Sequence, residues 1–133
     1  MRLSRASTYA LQAVAYMAGQ NESQPIGSHV IAQKRRIPKR FLLKVLKPLV
    51  SAQVLYSVRG HYGGYRLARA ANNISVLEIV EAVDGPIRDH APPGRDPASD
   101  LQRKLHQICS QSAQALRKQL GKIKLAELAC ATR

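Results

Sequence analysis

The sequence predicts a mainly α-helical fold with one small β-hairpin, and three observations indicate it. Apolar residues recur at three- and four-residue spacing along most of the chain, as they do on amphipathic helices. One β-prone stretch is divided by a glycine-rich turn at 60–64, which is typical of a hairpin. Prolines concentrate between residues 86 and 97, so we expect a loop there between a compact first part and a long final helix.

Three helices are expected before the hairpin. The first is predicted over residues 7–19, where Gly19 is placed to end it. Ser28 is expected to be the N-cap of a second, short helix that reaches about Arg36. Pro38 is expected in the first turn of the third helix. Two short helices with a tight connection predict a helix-turn-helix.

The third helix divides into an apolar and a basic side. The apolar residues expected to point inward are Phe41, Leu42, Val45, Leu46 and Leu49. The basic residues expected on the other side are Lys39, Arg40, Lys44 and Lys47. Pro48 conflicts with a helix interior, where proline costs about 3 kcal/mol. We therefore expect this helix to kink or end near Lys47.

The hairpin and the helix that follows it are predicted from local signals. Two strands are expected over residues 54–59 and 65–68. A hairpin directly after the basic third helix is the wing of a winged helix-turn-helix. Ser75 and Glu78 have the spacing of a capping box for a helix over 76–83, and Gly85 with Pro86 is expected to end it.

A long helix is predicted from Ser99, its expected N-cap, to about Leu120, with Gly121 marking its end. A short last helix is expected over 125–128. One side of the long helix carries a stripe of apolar and small residues: Leu101, Leu105, Ile108, Ser112, Ala115 and Leu116. We expect this stripe to mediate dimerisation, because the compact part is largely complete without it; packing against its own domain is the alternative.

These elements predict three segments. Residues 1–85 are expected to form a winged helix-turn-helix DNA-binding domain, and residues 86–98 a flexible loop. Residues 99–133 are expected to form a dimerisation helix and a C-terminal tail.

Composition limits the class of protein. The chain has 133 residues, of which 45% are hydrophobic, so it can bury one domain core. It has 21 Lys and Arg against 8 Asp and Glu, a formal charge of +13, which predicts a polyanionic partner such as double-stranded DNA. The sequence has no apolar run of about 18 residues, and Cys109 and Cys130 do not make a disulfide scaffold. We therefore expect a cytoplasmic protein with no membrane partner.

The positive charge is concentrated in one block. No acidic residue occurs between Glu22 and Glu78. The basic residues of this gap are Lys34, Arg35, Arg36, Lys39, Arg40, Lys44, Lys47, Arg59, Arg66 and Arg69. A solvated basic face is the alternative interpretation, but the block coincides with the predicted helix-turn-helix and wing.

The chain resembles the Rrf2 family of bacterial winged helix-turn-helix transcription regulators. The most specific motif is Ser-Val-Arg-Gly-His-Tyr-Gly-Gly-Tyr-Arg-Leu-Ala at 57–68. The opening Met-Arg-Leu-Ser, Tyr-Ala at 9–10 and residues 37–49, 74–86 and 123–128 also fit, so the resemblance covers nearly the whole chain. It implies a cytoplasmic homodimer on a palindromic operator, and many members hold an iron–sulfur cluster on three cysteines before the long helix.

This sequence departs from that cluster motif. The loop before the long helix contains no cysteine, and Cys109 lies inside the helix. His106 is near a position that supplies a histidine ligand in one branch of the family. Because iron–sulfur sites are built from thiolates, we expect neither an iron–sulfur cluster nor another cofactor. No metal site is expected either, since the four histidines lack ligand spacing.

The candidate DNA-binding residues lie in the helix-turn-helix and the wing: Ser28, Lys39, Arg40, Lys44, Arg59, Gly60, His61, Tyr62, Gly63, Gly64 and Arg66. Arg59 suits a narrow minor groove, a role that the resemblance also implies, with a plain phosphate contact as the alternative. Arg40 could pair with guanine O6 and N7. Lys39 and Lys44 suit phosphates, and Ser28 suits a phosphate at a helix start.

Regulation and the competing functions stay open at the level of sequence. Cys109, with His106, is a candidate sensing residue, although a small buried thiol is the alternative. A small-molecule effector is another option. A non-specific basic nucleic-acid-binding protein, ribosomal or architectural, is the second functional hypothesis. An enzyme is not expected, because no acidic residue pairs with a histidine or serine in a catalytic pattern.

Overall fold

A computed structural model describes residues 2–20, 23–88 and 98–129. Within these ranges the chain forms six α-helices, a two-stranded hairpin and a short 3-10 turn at Ala71–Asn73. The elements are α1 (Arg5–Ala18), α2 (Ser28–Arg35), α3 (Lys39–Ser51), β1 (Leu55–Val58), β2 (Gly64–Leu67), α4 (Val76–Asp84), α5 (Asp100–Lys122) and α6 (Leu125–Ala129). The predicted mainly helical fold with a hairpin is confirmed.

Helix α1 is the centre of the core. It contacts α2, α3, α4 and α6, and its Ala10, Ala13 and Val14 are fully buried in the core. Small side chains at these positions let the surrounding helices approach α1 closely. The helix begins two residues earlier than predicted, because Ser4 is its N-cap and accepts a 2.9 Å hydrogen bond from the Ser7 N–H.

A polar clamp joins the start of α1 to the end of α4. The Ser4 hydroxyl donates to Asp84 Oδ1 at 2.7 Å, and the fully buried Ser7 hydroxyl donates to Asp84 Oδ2 at 2.5 Å. The Asp84 carboxylate also lies where the N-terminus of α1 favours negative charge. Residues 80 positions apart are thereby fixed to one another.

The α2–α3 pair forms the predicted helix-turn-helix, with two corrections to its helix starts. The N-cap of α2 is Gly27 and not Ser28, which is the first helical residue and makes no capping hydrogen bond. Pro38 is the N-cap of α3 rather than part of its first turn. The tight turn between the helices is made by Arg36, whose φ of 53° is left-handed, and by the buried Ile37.

The expectation that α3 ends near Lys47 is wrong. The helix continues through Pro48 to Ser51. It does so because Leu46 and Leu49, on either side of the proline, are fully buried. Burial of each such side chain stabilises the fold by about 1.5–3 kcal/mol, which offsets the cost of about 3 kcal/mol for an interior proline.

The wing is an antiparallel hairpin in which Leu55 pairs with Leu67 and Val58 with Gly64. A third chain segment joins it, since Ile26 N–H donates to the Tyr65 carbonyl at 3.0 Å and the Tyr65 N–H donates back at 2.8 Å. Gly64 has a φ of 154°, and a Cβ there would lie 2.4 Å from the Ile26 carbonyl oxygen. This close approach of two backbones requires glycine.

Helices α4 and α5 contact each other, and α4 also contacts α1. The predicted capping box of Ser75 and Glu78 starts α4, and Gly85 ends it as expected. Helix α5 begins after Ser99, its predicted N-cap, and runs to Lys122. Gly121 is therefore the second-last residue of the helix and does not mark its end. The C-cap is Ile123, whose carbonyl accepts a hydrogen bond from the Val76 N–H of α4.

The end of the described chain returns to the core. The Val76 N–H donates to the Ile123 carbonyl, and the Leu125 N–H donates to the Ile74 carbonyl. Leu125 in α6 is fully buried in the core around α1. Helix α6, in the segment predicted to be a dimerisation helix and tail, thus packs into the core of the predicted DNA-binding domain (residues 1–85). Most of the predicted flexible loop, residues 89–97, lies outside the described residues.

Candidate nucleic-acid interface

Helix α3 presents a continuous cationic face to solvent. Its apolar side buries Leu42, Val45, Leu46 and Leu49 in the core. The residues on its other side are exposed: Lys39, Arg40, Leu43, Lys44 and Lys47. This separation follows from the 3.6-residue period of the helix. Leu43, which is 43% exposed and which sequence reasoning did not assign, is the apolar member of this face.

Phe41 supports two cations of that face. It was expected to point inward, but it is half-buried, at the boundary between core and solvent. Arg40 Cζ lies 4.9 Å from the centroid of its ring, and Lys44 Nζ lies 5.8 Å from it. The ring of Tyr9 in α1 is 6.4 Å away on a tilted plane. These distances fall in the range of cation–π and aromatic pairs.

The turn of the wing projects away from the core. The Gly63 N–H donates to the Gly60 carbonyl at 3.0 Å, and Gly60 has a φ of 111°. His61 is exposed, and Tyr62 at the tip is 94% exposed. Arg59 at the base of the turn is exposed and makes no ion pair with any residue that the structure describes. The side chains of this turn are therefore available to a partner.

One side of the hairpin carries an aromatic and a basic residue. Tyr56 and Arg66 are cross-strand partners, and Arg66 Cζ lies 5.7 Å from the Tyr56 ring centroid. Sequence reasoning selected Arg66 but missed Tyr56, which is 40% exposed. The strand register, which places partners on the same side of a sheet, would have identified it.

Arg69 is one of the basic residues in the stretch without acidic residues between Glu22 and Glu78, but in the fold it is paired. Its Nη2 lies 2.7 Å from Glu78 Oε1, and its Nη1 donates to the Asn73 carbonyl at 2.9 Å. Partial burial raises the pKa of Glu78, but hydrogen bonds from Arg69 and from the Ser75 N–H outweigh it and bring the pKa below the ordinary value.

The carboxylates of α4 are engaged within the fold. Glu78 forms an ion pair with Arg69, and Asp84 accepts hydrogen bonds from the hydroxyls of Ser4 and Ser7 at the start of α1. Glu81 forms an ion pair with Arg117 of α5 and accepts a 2.8 Å hydrogen bond from the Ile87 N–H. These acidic groups are occupied by local partners, so the cations of α3 and of the wing turn keep a net positive field.

One side of the first half of α5 carries exposed apolar residues. Leu101 is 68% exposed, Leu105 39% and Ile108 57%, and Ser112 and Ala115 are also exposed. Leu116 differs from the rest of the predicted stripe, because it packs with Leu120 against Val76 and Val80 of α4. The predicted stripe is therefore divided into an exposed N-terminal part and a C-terminal end that contacts its own domain.

The donor set does not fit a cysteine-ligated iron–sulfur cluster. The whole sequence has two cysteines, and Cys109 is the one that the structure describes, half-buried on α5. His106, one helical turn before it, is exposed. No group of three or more metal-ligating side chains occurs among the described residues. The sensing roles of Cys109 and His106 stay predictions.

No helix in the described parts of the chain has the length and apolar character needed to span a bilayer.

A basic helix-turn-helix followed by a β-hairpin wing defines a winged helix-turn-helix protein, and here the long helix α5 follows that unit. Residues 3–131 match the Rrf2 family, described as iron-dependent transcriptional regulators. The chain belongs to this family, as its wing motif led us to expect. Because the family consists of transcriptional regulators, the expectation that the chain is not an enzyme is also confirmed.

Two curated relatives and one solved structure illustrate the match. An Rrf2-like HTH-type regulator of Rhodobacter capsulatus is 36% identical over 104 residues, or 76% of this chain and 64% of the relative. The regulator CymR of Bacillus subtilis is 30% identical over 87 residues, or 65% of this chain and 63% of the relative. The alignments thus span less than two thirds of these relatives.

The structure of B. subtilis CymR, described as the global cysteine regulator, superposes with a TM-score of 0.81 at 25% identity. That superposition covers 100% of this chain and 99% of the other.

Proposed function

We propose that this protein is a sequence-specific DNA-binding transcription regulator that acts as a homodimer on a palindromic operator. It represses transcription from the cytoplasm, and it does so without an iron–sulfur cluster. The observation that carries this proposal is the exposed cationic face of α3 next to the wing, on a chain of the Rrf2 family.

The two parts of this surface suit the two grooves of DNA. A helix fits the major groove, where arginine pairs with guanine and apolar groups contact the thymine methyl. Arg40 and Leu43, both exposed on α3, suit these contacts, and the exposed Lys39 and Lys44 suit phosphates. The exposed Arg59 and the wing tip suit the adjacent minor groove, whose narrow A·T tracts attract arginine.

A second copy of this chain is the proposed occupant of the exposed α5 stripe. Leu101, Leu105 and Ile108 lie on one side of the helix and are open to solvent, whereas its last turns pack against α4. An isologous contact buries the same stripe on both copies and relates the two binding units by a twofold axis. Such a dimer recognises two half-sites about one helical turn of DNA apart.

Selection from a random duplex library tests the proposal. The full chain is incubated with duplexes that contain a randomised core, and bound DNA is amplified and sequenced over several rounds. The proposal predicts a palindromic consensus whose half-sites are separated by about 10 bp between centres. A consensus that is not palindromic would contradict the dimer, and the absence of any consensus would contradict sequence recognition.

A non-specific basic nucleic-acid-binding protein is the second candidate, and the charge of +13 is the observation that favours it. Salt dependence does not distinguish the candidates, because phosphate contacts give both a steep slope. Enrichment of one sequence over others does.

The transcriptional effect has its own test. A reporter gene with the selected sequence across its promoter should lose expression when the protein is present. Increased expression would identify an activator instead.

A further inference from the structure

We propose that Phe41 is a positioning residue for base recognition. Its ring holds the face of the Arg40 guanidinium, so that the edge of the guanidinium is presented to guanine. This inference rests on the proposed DNA-binding function and adds the device that orients the base-reading side chain.

Arg40 is exposed, and a face-on contact with the Phe41 ring would leave its hydrogen-bonding groups free. Arg40 Cζ lies 4.9 Å from the Phe41 ring centroid, well within the range of a cation–π contact of about 6 Å. A guanidinium stacks with its planar face, whereas its five N–H groups lie in its plane and point outward. A face-on contact with the ring consumes none of the donors that pair with guanine O6 and N7.

The ring is itself held by the fold. Phe41 is half-buried, and the Tyr9 ring of α1 lies 6.4 Å from it. Tyr9 packs against the main core, so the contacts lead from the core through two rings to the Arg40 side chain. A long, exposed arginine is otherwise free to sample many rotamers. The Phe41 contact reduces that freedom before DNA arrives, which favours binding through preorganisation.

Lys44 lies near the same ring but suits a different partner. Its Nζ is 5.8 Å from the ring centroid. A lysine ammonium is a compact charge that cannot present a two-pronged edge to a base. The ring thus orients Arg40, whose planar guanidinium can pair with a base, and Lys44, whose ammonium suits a phosphate.

The test measures base preference and not affinity alone. The probes are the duplex that the wild-type protein enriches from a random library and its variants with each guanine replaced by adenine. Phe41→Leu, which removes the ring, should lower the preference for guanine at one position of each half-site by about two- to fivefold, the effect of one exposed cation–π contact. Phe41→Tyr keeps the ring and should retain the preference.

A double-mutant cycle separates positioning from general packing. In an Arg40→Ala background, Phe41→Leu should cause no further loss of guanine preference. Thermal unfolding confirms that each variant is folded, and Phe41→Met serves as a second ring-free variant if Phe41→Leu does not fold. Unchanged guanine preference in a folded ring-free variant, or an equal loss with and without Arg40, would overturn the inference. A library from which the wild-type protein enriches nothing overturns the proposed function, and this inference with it.

Discussion

Replacing Asp84 with alanine should destabilise the fold substantially, because Asp84 joins α1 to α4. Its carboxylate accepts hydrogen bonds from the Ser4 hydroxyl at 2.7 and 2.8 Å and from the Ser7 hydroxyl at 2.5 Å. Hydrogen bonds to charged groups contribute about 1.5–3 kcal/mol. The Ser7 side chain is fully buried, so its hydroxyl would lose its partner without gaining water.

We therefore expect Asp84→Ala to lower the free energy of unfolding by about 2–3 kcal/mol. Ser7→Ala is the matched control, because it removes the buried donor together with its need for a partner; we expect a loss of about 1 kcal/mol. Urea unfolding followed by circular dichroism, at one fixed protein concentration, measures both. The combined variant should show a coupling energy above about 0.5 kcal/mol.

An Asp84→Ala protein within about 0.5 kcal/mol of the wild type would refute this reasoning, since that is the range of an ordinary surface substitution. Full additivity of the two substitutions would also refute it, because groups in one hydrogen-bond network are coupled.

Four further predictions concern the wing, the exposed stripe of α5, the Glu78 ion pair and the absence of a cluster. Arg59→Ala should weaken binding to the selected duplex by roughly tenfold and affect random duplex less, in titrations of both; an equal loss would indicate a phosphate contact alone. Leu105→Asp with Ile108→Asp should convert dimer to monomer in sedimentation, whereas the exposed Lys104→Asp should not. Because the pKa of Glu78 is lowered on folding, its carboxylate stabilises the fold above pH about 4.5, and this stabilisation is lost as the pH falls through the lowered value. The free energy of unfolding of Glu78→Gln, measured across pH 3–6, should lack this dependence. A pH profile identical to that of the wild type would contradict the ion pair. Protein purified without oxygen should be colourless, and stoichiometric iron and sulfide would contradict the absence of a cluster.

Features determined by neighbouring residues could be predicted from the sequence. The apolar and basic sides of α3 follow from helical periodicity, and the wing follows from a glycine turn between β-prone runs. The capping box of Ser75 and Glu78 is a four-residue pattern and was confirmed. Lys39, Arg40 and Lys44 of α3 are exposed for the same reason, as are residues 59–62 of the wing, since local pattern decides which side of an element faces solvent.

Features that depend on distant contacts could not be predicted. Asp84 reads as an ordinary last residue of a helix, and its two serine partners are far away in the sequence. Arg69 looks like one more cation of the basic block until folding places Glu78 beside it. Ser28 has the residue type of an N-cap, but the chain enters α2 one residue earlier, at Gly27. For Asp84 and Arg69, tertiary contacts determined the role of the side chain. Glycine and serine are both common N-cap residues, so residue type alone does not choose between Gly27 and Ser28.

The affinity of the protein for its selected palindrome, relative to a scrambled duplex of the same length and composition, tests the central claim most directly. Both affinities are measured at the same salt concentration, because phosphate contacts make each of them salt-dependent. Sequence-specific binders exceed their non-specific affinity by at least about 10³, and we predict a ratio in that range. A ratio near one would contradict the account and identify a general nucleic-acid-binding protein.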